Sequence, residues 1–293
     1  MKISVVIRTY NEQRYLRELL QGIEDQVRDG HEIETVLVDS GSTDDTLRIA
    51  GQFNVRIVHI AKADFSFGRS LNLGCEAASG DALVFISGHC IPTGKRWVAD
   101  LVAPLGRDKI AYSYGGQLGG DASYFSECQI FGKYFPTKDK LPQAGFYVNN
   151  ANAALLRSVW QEERFDEELT GLEDMHLAKR LLAKGYLVGY VAKAAVFHLH
   201  NETWSQVRRR FEREAIALQY IMPEVHLARW DVFRYFFSAV FLDLGAAFRQ
   251  GVLLKHMTSV LAYRFNQFMG SFRGNHFHRQ LSRAVKEAYF YPR

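Results

Sequence analysis

Apolar and polar positions alternate in blocks along the first hundred residues. Ile3 to Ile7, Ile33 to Val38, Val55 to Ile60 and Ala82 to Ile86 are short apolar runs rich in β-branched residues. Runs of that length and make-up predict strands. Between them, Glu12 to Val27 repeats at helical spacing, with Tyr15, Leu16, Leu19, Leu20 and Ile23 on one face. Further helices are expected from about Thr46, behind the polar cluster Asp39 to Asp45, and over Gly68 to Ala78. Strand and helix in strict alternation imply an α/β fold, a parallel sheet with helices on both faces.

The pattern becomes mixed from Ile110 to about Ala195. Strands are expected at Ala111–Gly116, Ala151–Leu156 and Tyr186–Val191, with another run at Ala194 to Phe197. A helix from Glu173 to Lys184 would turn Leu177, Leu181 and Leu182 inward. Beyond Thr203 the chain reads as helical, aromatic and basic, without a Gly-Ser linker. The expected organisation is therefore a catalytic domain over residues 1–202 and a helical region over 203–293.

Composition narrows this picture. Hydrophobic residues make up 47% of the 293 and charged residues 23%, proportions of a folded protein rather than a disordered one. The net charge of +4 matters less than its distribution, since Arg and Lys gather after residue 200. Cys75, Cys90 and Cys128 form neither a CxxC pair nor a disulfide framework, which suits a reducing cytoplasm. The apolar stretch Phe236 to Phe248 is broken by Asp243 and is shorter than the ~20 residues that span a bilayer.

In a parallel α/β sheet, ligands bind beyond the carboxyl ends of the strands. The residues there are Thr9-Tyr10-Asn11-Glu12, Asp39-Ser40-Gly41 and Ser87-Gly88-His89, all small or polar. Asp39 can accept a hydrogen bond from a base or ribose, with Gly41 permitting close backbone approach; alternatively the loop only caps a helix. Glu173 and Asp174 open a helix, where carboxylates favour the macrodipole; two together exceed what capping needs, and one beside a hydroxyl can act as general base. His198 and His200 would share one side of a strand, either as a metal pair or with one a buried, hydrogen-bonded histidine.

These residues resemble a known family. Ser4 to Glu12, Val38 to Asp44, Asn72-Leu73-Gly74, Ala78-Ser79-Gly80-Asp81, Gly171 to Arg180 and His198 to Asn201 are similar to the inverting GT-A-fold glycosyltransferases of the family 2 type. The likeness is to the bacterial rhamnosyltransferase-like, polysaccharide-assembling branch, and it covers roughly the first 200 residues. It implies a Rossmann-like, mostly parallel sheet with a nucleotide-sugar part over about 1–110, an acceptor part over about 111–202, and a helical extension. It further implies that Thr9, Tyr10, Glu12, Asp39, Ser40 and Gly41 line the nucleotide pocket, with Arg69 and Asn72 flanking the phosphates. Asp174 would be the base, supported by Glu173.

One segment departs from the family. Where relatives carry Asp-X-Asp, this chain has Ser87-Gly88-His89. Magnesium prefers oxygen ligands, so two arrangements follow. His89, with His198 or His200, holds a cation such as manganese; or Ser87, His89, Arg69 and backbone donors steady the diphosphate with no metal. The expected reaction moves a sugar from a nucleoside diphosphate to a surface-glycan or lipid-linked acceptor. A noncatalytic sugar-nucleotide-binding scaffold is the alternative.

The C-terminal region adds a partner question. Trp230, Phe233, Phe236, Phe237, Val240 and Phe241 recur at helical spacing behind the basic segment Arg208-Arg209-Arg210. That face lies on the inner surface of a cell membrane, packs on the catalytic domain, or meets a second copy of the chain. No nucleic-acid motif accompanies the basic residues.

Overall fold

The computed structural model describes residues 1–276. Eight strands form one sheet: β1 (Lys2–Thr9), β2 (Glu32–Asp39), β3 (Arg56–His59), β4 (Ala82–Ser87), β5 (Cys90–Pro92), β6 (Ile110–Leu118), β7 (Asn152–Leu156) and β8 (Leu187–His198). Their order across the sheet is β3-β2-β1-β4-β7-β6-β8-β5. β1 to β4 are mutually parallel, and β6 runs parallel to β8. β7 and β5 run against their neighbours. The sheet is thus mostly parallel with two reversals. Only Gly88 and His89 separate β4 from β5 in the chain, yet β5 pairs with β8 and not with β4. The two runs expected at Tyr186–Val191 and Ala194–Phe197 are one continuous strand, β8.

Helices α1 (Leu16–Glu24), α2 (Thr46–Ala50), α3 (Phe67–Ala77), α4 (Trp97–Val102), α5 (Phe125–Tyr134), α6 (Arg157–Glu162) and α7 (Glu173–Ala183) accompany the strands. The strands sort their side chains with period two. In β1, Ile3, Val5 and Ile7 join one core with Leu16, Leu19, Leu20 and Ile23 of α1, while Val6 joins another with Leu71 and Cys75 of α3. β4 divides likewise, with Val84 and Ile86 on the first face and Leu83 and Phe85 on the second. Each buried Leu or Ile contributes about 1.5–3 kcal/mol, so two such cores hold the strand ends rigidly. Leu177 and Leu181 of α7 are buried as expected, and Leu182 packs partly against the same core.

α1 starts four residues later than its periodicity suggests. Asn11 adopts a left-handed φ of 57°, and the Glu12 N–H donates to Thr46 Oγ1 at 2.7 Å, so this segment serves the β2–α2 loop before the helix begins.

By internal contact the chain divides into two compact units. The first comprises Met1–Ser123, Ile130–Leu169 and Glu173–His200; the second comprises Tyr124–Gln129, Thr170–Leu172 and the chain from Asn201. Three short pieces of the expected catalytic domain, 124–129, 170–172 and 201–202, thus belong with the helical region. That region holds α8 (Trp204–Ile221), α9 (Arg229–Arg249) and α10 (Leu253–Asn275); residues 277–293 of it lie outside the described residues. Asp243, which interrupts the apolar run of α9, is buried and accepts both arms of Arg264 from α10, at 2.7 and 2.8 Å. Among the described residues no helix is long and apolar enough to cross a membrane.

Candidate active site

The carboxyl ends of β1 and β2 are tied together. Thr9 and Asp39 stand opposite in register, and both are buried. Thr9 Oγ1 donates to Val38 O at 3.3 Å, and Ser40 Oγ donates to Thr9 O at 3.1 Å. These two hydroxyls are spent on backbone and shape the floor of the site. Asp39 Oδ2 accepts from the N–H groups of Gly41 (3.0 Å) and Ser42 (3.1 Å), which fold the loop back over it. Gly41 takes a φ of 87° in open space, so the position selects glycine by conformation, not crowding. Asp44 accepts from the Thr46 N–H and hydroxyl and from the Gln13 N–H, doing the cap work. Among the described residues, Asp39 Oδ1 meets just the Thr9 hydroxyl, 3.5 Å away and shared with Val38 O. Tyr10 is exposed at the rim, its hydroxyl accepting from Lys62 Nζ at 3.1 Å.

Arg69 and Asn72 part company, although both ride on α3. Arg69 is exposed in the first turn. Asn72 is buried and saturated: its Nδ2 donates to Phe165 O (3.0 Å) and Glu167 Oε1 (2.8 Å), and its Oδ1 accepts from Trp160 Nε1 (3.1 Å) and the Phe165 N–H (3.2 Å). The expectation that Asn72 flanks the phosphates is corrected. Its side chain has no capacity left for a ligand and instead fastens α3 to the segment after α6.

Glu173 and Asp174 occupy the first turn of α7, and both are buried. Leu172, just before them, is held at φ 56°, a conformation that costs a leucine energy and concentrates at working sites. Arg8, at the end of β1, donates to Glu173 Oε1 at 3.1 Å and lies over the Phe67 ring at 5.1 Å. Asp174 Oδ2 accepts the Asn150 N–H at 2.8 Å, and Oδ1 accepts the Met175 N–H at 2.7 Å. Burial first, and the adjacent Glu173 charge second, push the Asp174 carboxyl up to about 7 against the pull of those N–H groups and Arg8. Tyr112 donates to Asn150 Oδ1 at 2.5 Å, locking that side chain. Asn150 Nδ2 is buried and makes no hydrogen bond among the described residues.

The Ser87-Gly88-His89 segment meets β8. Gly88 is pressed between Glu12 and the β1 backbone: a Cβ there would lie 2.8 Å from Glu12 Cγ and 3.1 Å from Arg8 O. Ser87 closes β4 beside Arg8 in register. The pairing of Cys90 with His198 brings His89 to the histidines of β8. His89, His198 and His200 have ligand atoms within 4.8 Å of one another.

Hydrogen bonds orient two of these rings. The Ala151 N–H, an unambiguous donor, gives to Asn149 Oδ1 at 2.9 Å, so the Gln117 atom at 3.1 Å from that oxygen is its amide nitrogen. Gln117 Oε1 therefore accepts from His198 Nδ1 at 2.7 Å. His89 Nδ1 likewise meets the Glu12 carboxylate at 2.7 Å. With both Nδ1 atoms carrying hydrogen, the Nε2 lone pairs of His89 and His198 face each other across 3.1 Å. Such a contact calls for a positive charge between the rings. Two nitrogens bound to one ion at ~2.1 Å sit ~3.1–3.4 Å apart, so the pair fits a cation as it stands. A Glu or Gln behind each ligating ring is the support that imidazole metal sites use.

Sequence reasoning missed Arg8, Tyr112, Gln117 and Asn150. Arg8 alone had a signal, a charge at the end of an apolar strand. Asn150 and Gln117 enter through strand pairing, which no local pattern announces.

Comparison with known proteins gives this geometry a context. Residues 4–162 match the family model described as Glycosyl transferase family 2. The chain is 30% identical over 227 residues to the O-antigen chain rhamnosyltransferase RfbN of Salmonella typhimurium, covering 73% of this chain and 70% of that protein. In fold it resembles the mannosyltransferase PcManGT of Pyrobaculum calidifontis, solved in complex with GDP-Man and Mn2+, at a TM-score of 0.62 and 18% identity, over 99% of this chain and 87% of that one. It also resembles glucosyl-3-phosphoglycerate synthase of Mycobacterium tuberculosis, solved with Mn2+, UDP-glucose and phosphoglyceric acid, at a TM-score of 0.55 and 23% identity, over 75% and 79%.

Proposed function

The chain belongs to glycosyl transferase family 2, and from that premise we propose that it transfers a sugar from a nucleoside diphosphate to an acceptor hydroxyl with inversion, using Asp174 as the base. The acceptor class is a bacterial surface glycan or its lipid-linked precursor, as the likeness to an O-antigen rhamnosyltransferase suggests. The observation that carries the reading is the Asp174 carboxyl, buried, held by two backbone N–H groups and raised to about 7. A base poised near the working pH takes a hydroxyl proton most effectively.

The step balances simply. The acceptor O–H proton passes to Asp174, the oxygen forms a bond to the anomeric carbon, and the bond from that carbon to the diphosphate breaks on the opposite face. Arg8 holds Glu173 in place beside the base. The buried Asn150 Nδ2, without a bond among the described residues, is a donor for an oxygen of the bound acceptor. Asp39, with Gly41 and the rim residue Tyr10, receives the nucleoside, and Arg69 is the exposed cation for its phosphates. Positioning supplies much of the acceleration.

His89, His198 and His200 fit a cation, and imidazole ligands favour manganese or zinc over magnesium. When bound, such an ion offsets the charge of the departing diphosphate. The acceptor would be met at the cytoplasmic face of a membrane.

The test is Asp174→Asn. Transfer falls by 10³-fold or more, roughly the loss of a general base, while nucleoside diphosphate affinity stays within about twofold. Turnover equal to the parent protein would remove Asp174 from this role.

A further inference from the structure

The helical unit holds a groove that the reaction above does not use. It has a volume of about 1070 Å³ and runs along α8 and α10, with Phe236 of α9 in its wall. Gly270 and Gly274 of α10 let the two helices close on each other, since a Cβ on either would collide with the carbonyl oxygen of Arg208 or Glu212. Trp204, Leu261 and Phe265 line the groove and remain exposed. Arg208, Arg209 and Arg273 line it as well, against a single carboxylate, Glu212, which faces Arg273 at 3.6 Å. Arg208 gives Nε and Nη2 to Asn266 Oδ1, at 3.0 and 2.7 Å, and so is held at the wall.

An aromatic ladder on α9 leads into this groove. Trp230, Phe233, Phe237 and Phe241 follow one another with ring centroids 5.4, 4.5 and 6.4 Å apart, and Trp230 and Phe241 are 70% and 69% exposed. Phe236, in the groove wall, lies 5.1 Å from Phe237. Arg229 and Arg234 flank the ladder, and Arg249 and Lys255 follow it. The carboxylates nearby are committed: Asp231 accepts the Ala228 N–H and Asp243 is bound by Arg264. α10 carries no acidic residue. An apolar surface flanked mainly by Arg and Lys among the described residues complements an anionic bilayer. It does not complement itself, because a second copy would bring the same arginines against these.

We propose that the α9 ladder lies in the interface of an anionic bilayer and that the groove takes one of its phospholipids. The lipid phosphate meets Arg209 and Arg273, and the start of an acyl chain lies against Leu261 and Phe265. This deepens the membrane-face placement made above and rests on it for its setting, not for its evidence.

Trp204 reports on the groove directly. In a Trp230→Phe protein the ladder stays aromatic, and Trp97 and Trp160 are buried and supply a constant background. Vesicles of phosphatidylglycerol with brominated acyl chains are expected to bind and quench Trp204. Phosphatidylcholine vesicles should bind at least tenfold more weakly. Arg209→Glu should lower phosphatidylglycerol binding about thirtyfold, what a change of two charges near an anionic surface amounts to, while Arg209→Lys restores it. Binding indifferent to lipid charge, binding without quenching of Trp204, or displacement by inorganic phosphate at constant ionic strength would each overturn the proposal. So would sedimentation as a dimer in which the ladder is buried. Transfer to a water-soluble acceptor without vesicles separates the two readings: lost lipid binding with transfer intact sinks the lipid site alone, and the converse sinks the catalytic reading alone.

Discussion

Arg8 donates to Glu173 across 3.1 Å, joining the end of the first strand to the first turn of a helix 165 residues later in the chain. The pair is the electrostatic partner of the proposed base, because Glu173 raises the Asp174 carboxyl and Arg8 lowers it. Arg8→Met leaves a buried, uncompensated carboxylate, costing about 3 kcal/mol of stability. It also removes a restraint on the base, so the pH dependence of kcat/KM should move to higher pH and the rate at pH 7 fall tenfold or more. Arg8→Lys should recover part of both. An unmoved pH profile in folded Arg8→Met would make the pair a brace only.

The Asp174 carboxyl also predicts how rate and stability change with pH. As the proposed base, Asp174 acts when deprotonated, so transfer should rise with pH through about 7. Its folded value lies above the ordinary 3.8, so the folded protein holds more protons between those limits. That contribution to stability is complete below the ordinary value and is lost as pH climbs through the folded one. Asp174→Asn escapes the loss. At pH 8 it should melt roughly 2–4 °C above the parent, for a gain of about 1 kcal/mol, and the gap should close toward pH 4. Calorimetry at both pH values decides it.

Metal affinity should depend on residues that never touch the ion. Gln117→Ala removes the acceptor that orients His198 and should weaken manganese or zinc binding 10–100-fold. His198→Ala should weaken it further, and magnesium should bind least well in every variant. Titration calorimetry on chelator-stripped protein measures this. Equal affinities in parent and His198→Ala would rule the cluster out as a cation site.

Asn72→Ala should be costly for the fold and nearly silent in donor binding. It breaks four hydrogen bonds, three of them buried, worth about 2–4 kcal/mol together. The melting temperature should drop, with donor KM unchanged in the molecules that remain folded. A raised KM at unchanged melting temperature would return Asn72 to the phosphate site.

The first four strands and the helices between them were legible because each is a local pattern whose core face repeats at its own period. Asp39, Glu173 and Asp174 stood out for a related reason, as charges at the ends of apolar or helical runs. Other features had no such trace. β5 is three residues long, and its pairing with β8 is what brings His89 against His198. Asn72 shows the opposite limit, since a polar residue on a helix looks the same whether it meets a ligand or a neighbouring loop. Glu12 was expected at the nucleotide, yet its carboxylate is engaged with His89; only the tertiary fold brings those two together.

The reversal of β7 has a consequence for how such a protein can diversify. Because β7 runs against β4 and β6, the chain leaves the sheet after Leu118 and re-enters at Asn152 on the same edge. Everything between is a detour pinned at both ends, and Asn150, whose N–H holds Asp174, belongs to the pinned part. On the proposed reading, the exposed stretch 137–142 of the detour can be rewritten, lengthened or shortened while the proton-abstracting end keeps its place. A lineage built on this frame can change the sugar it decorates without reinventing the chemistry that decorates it.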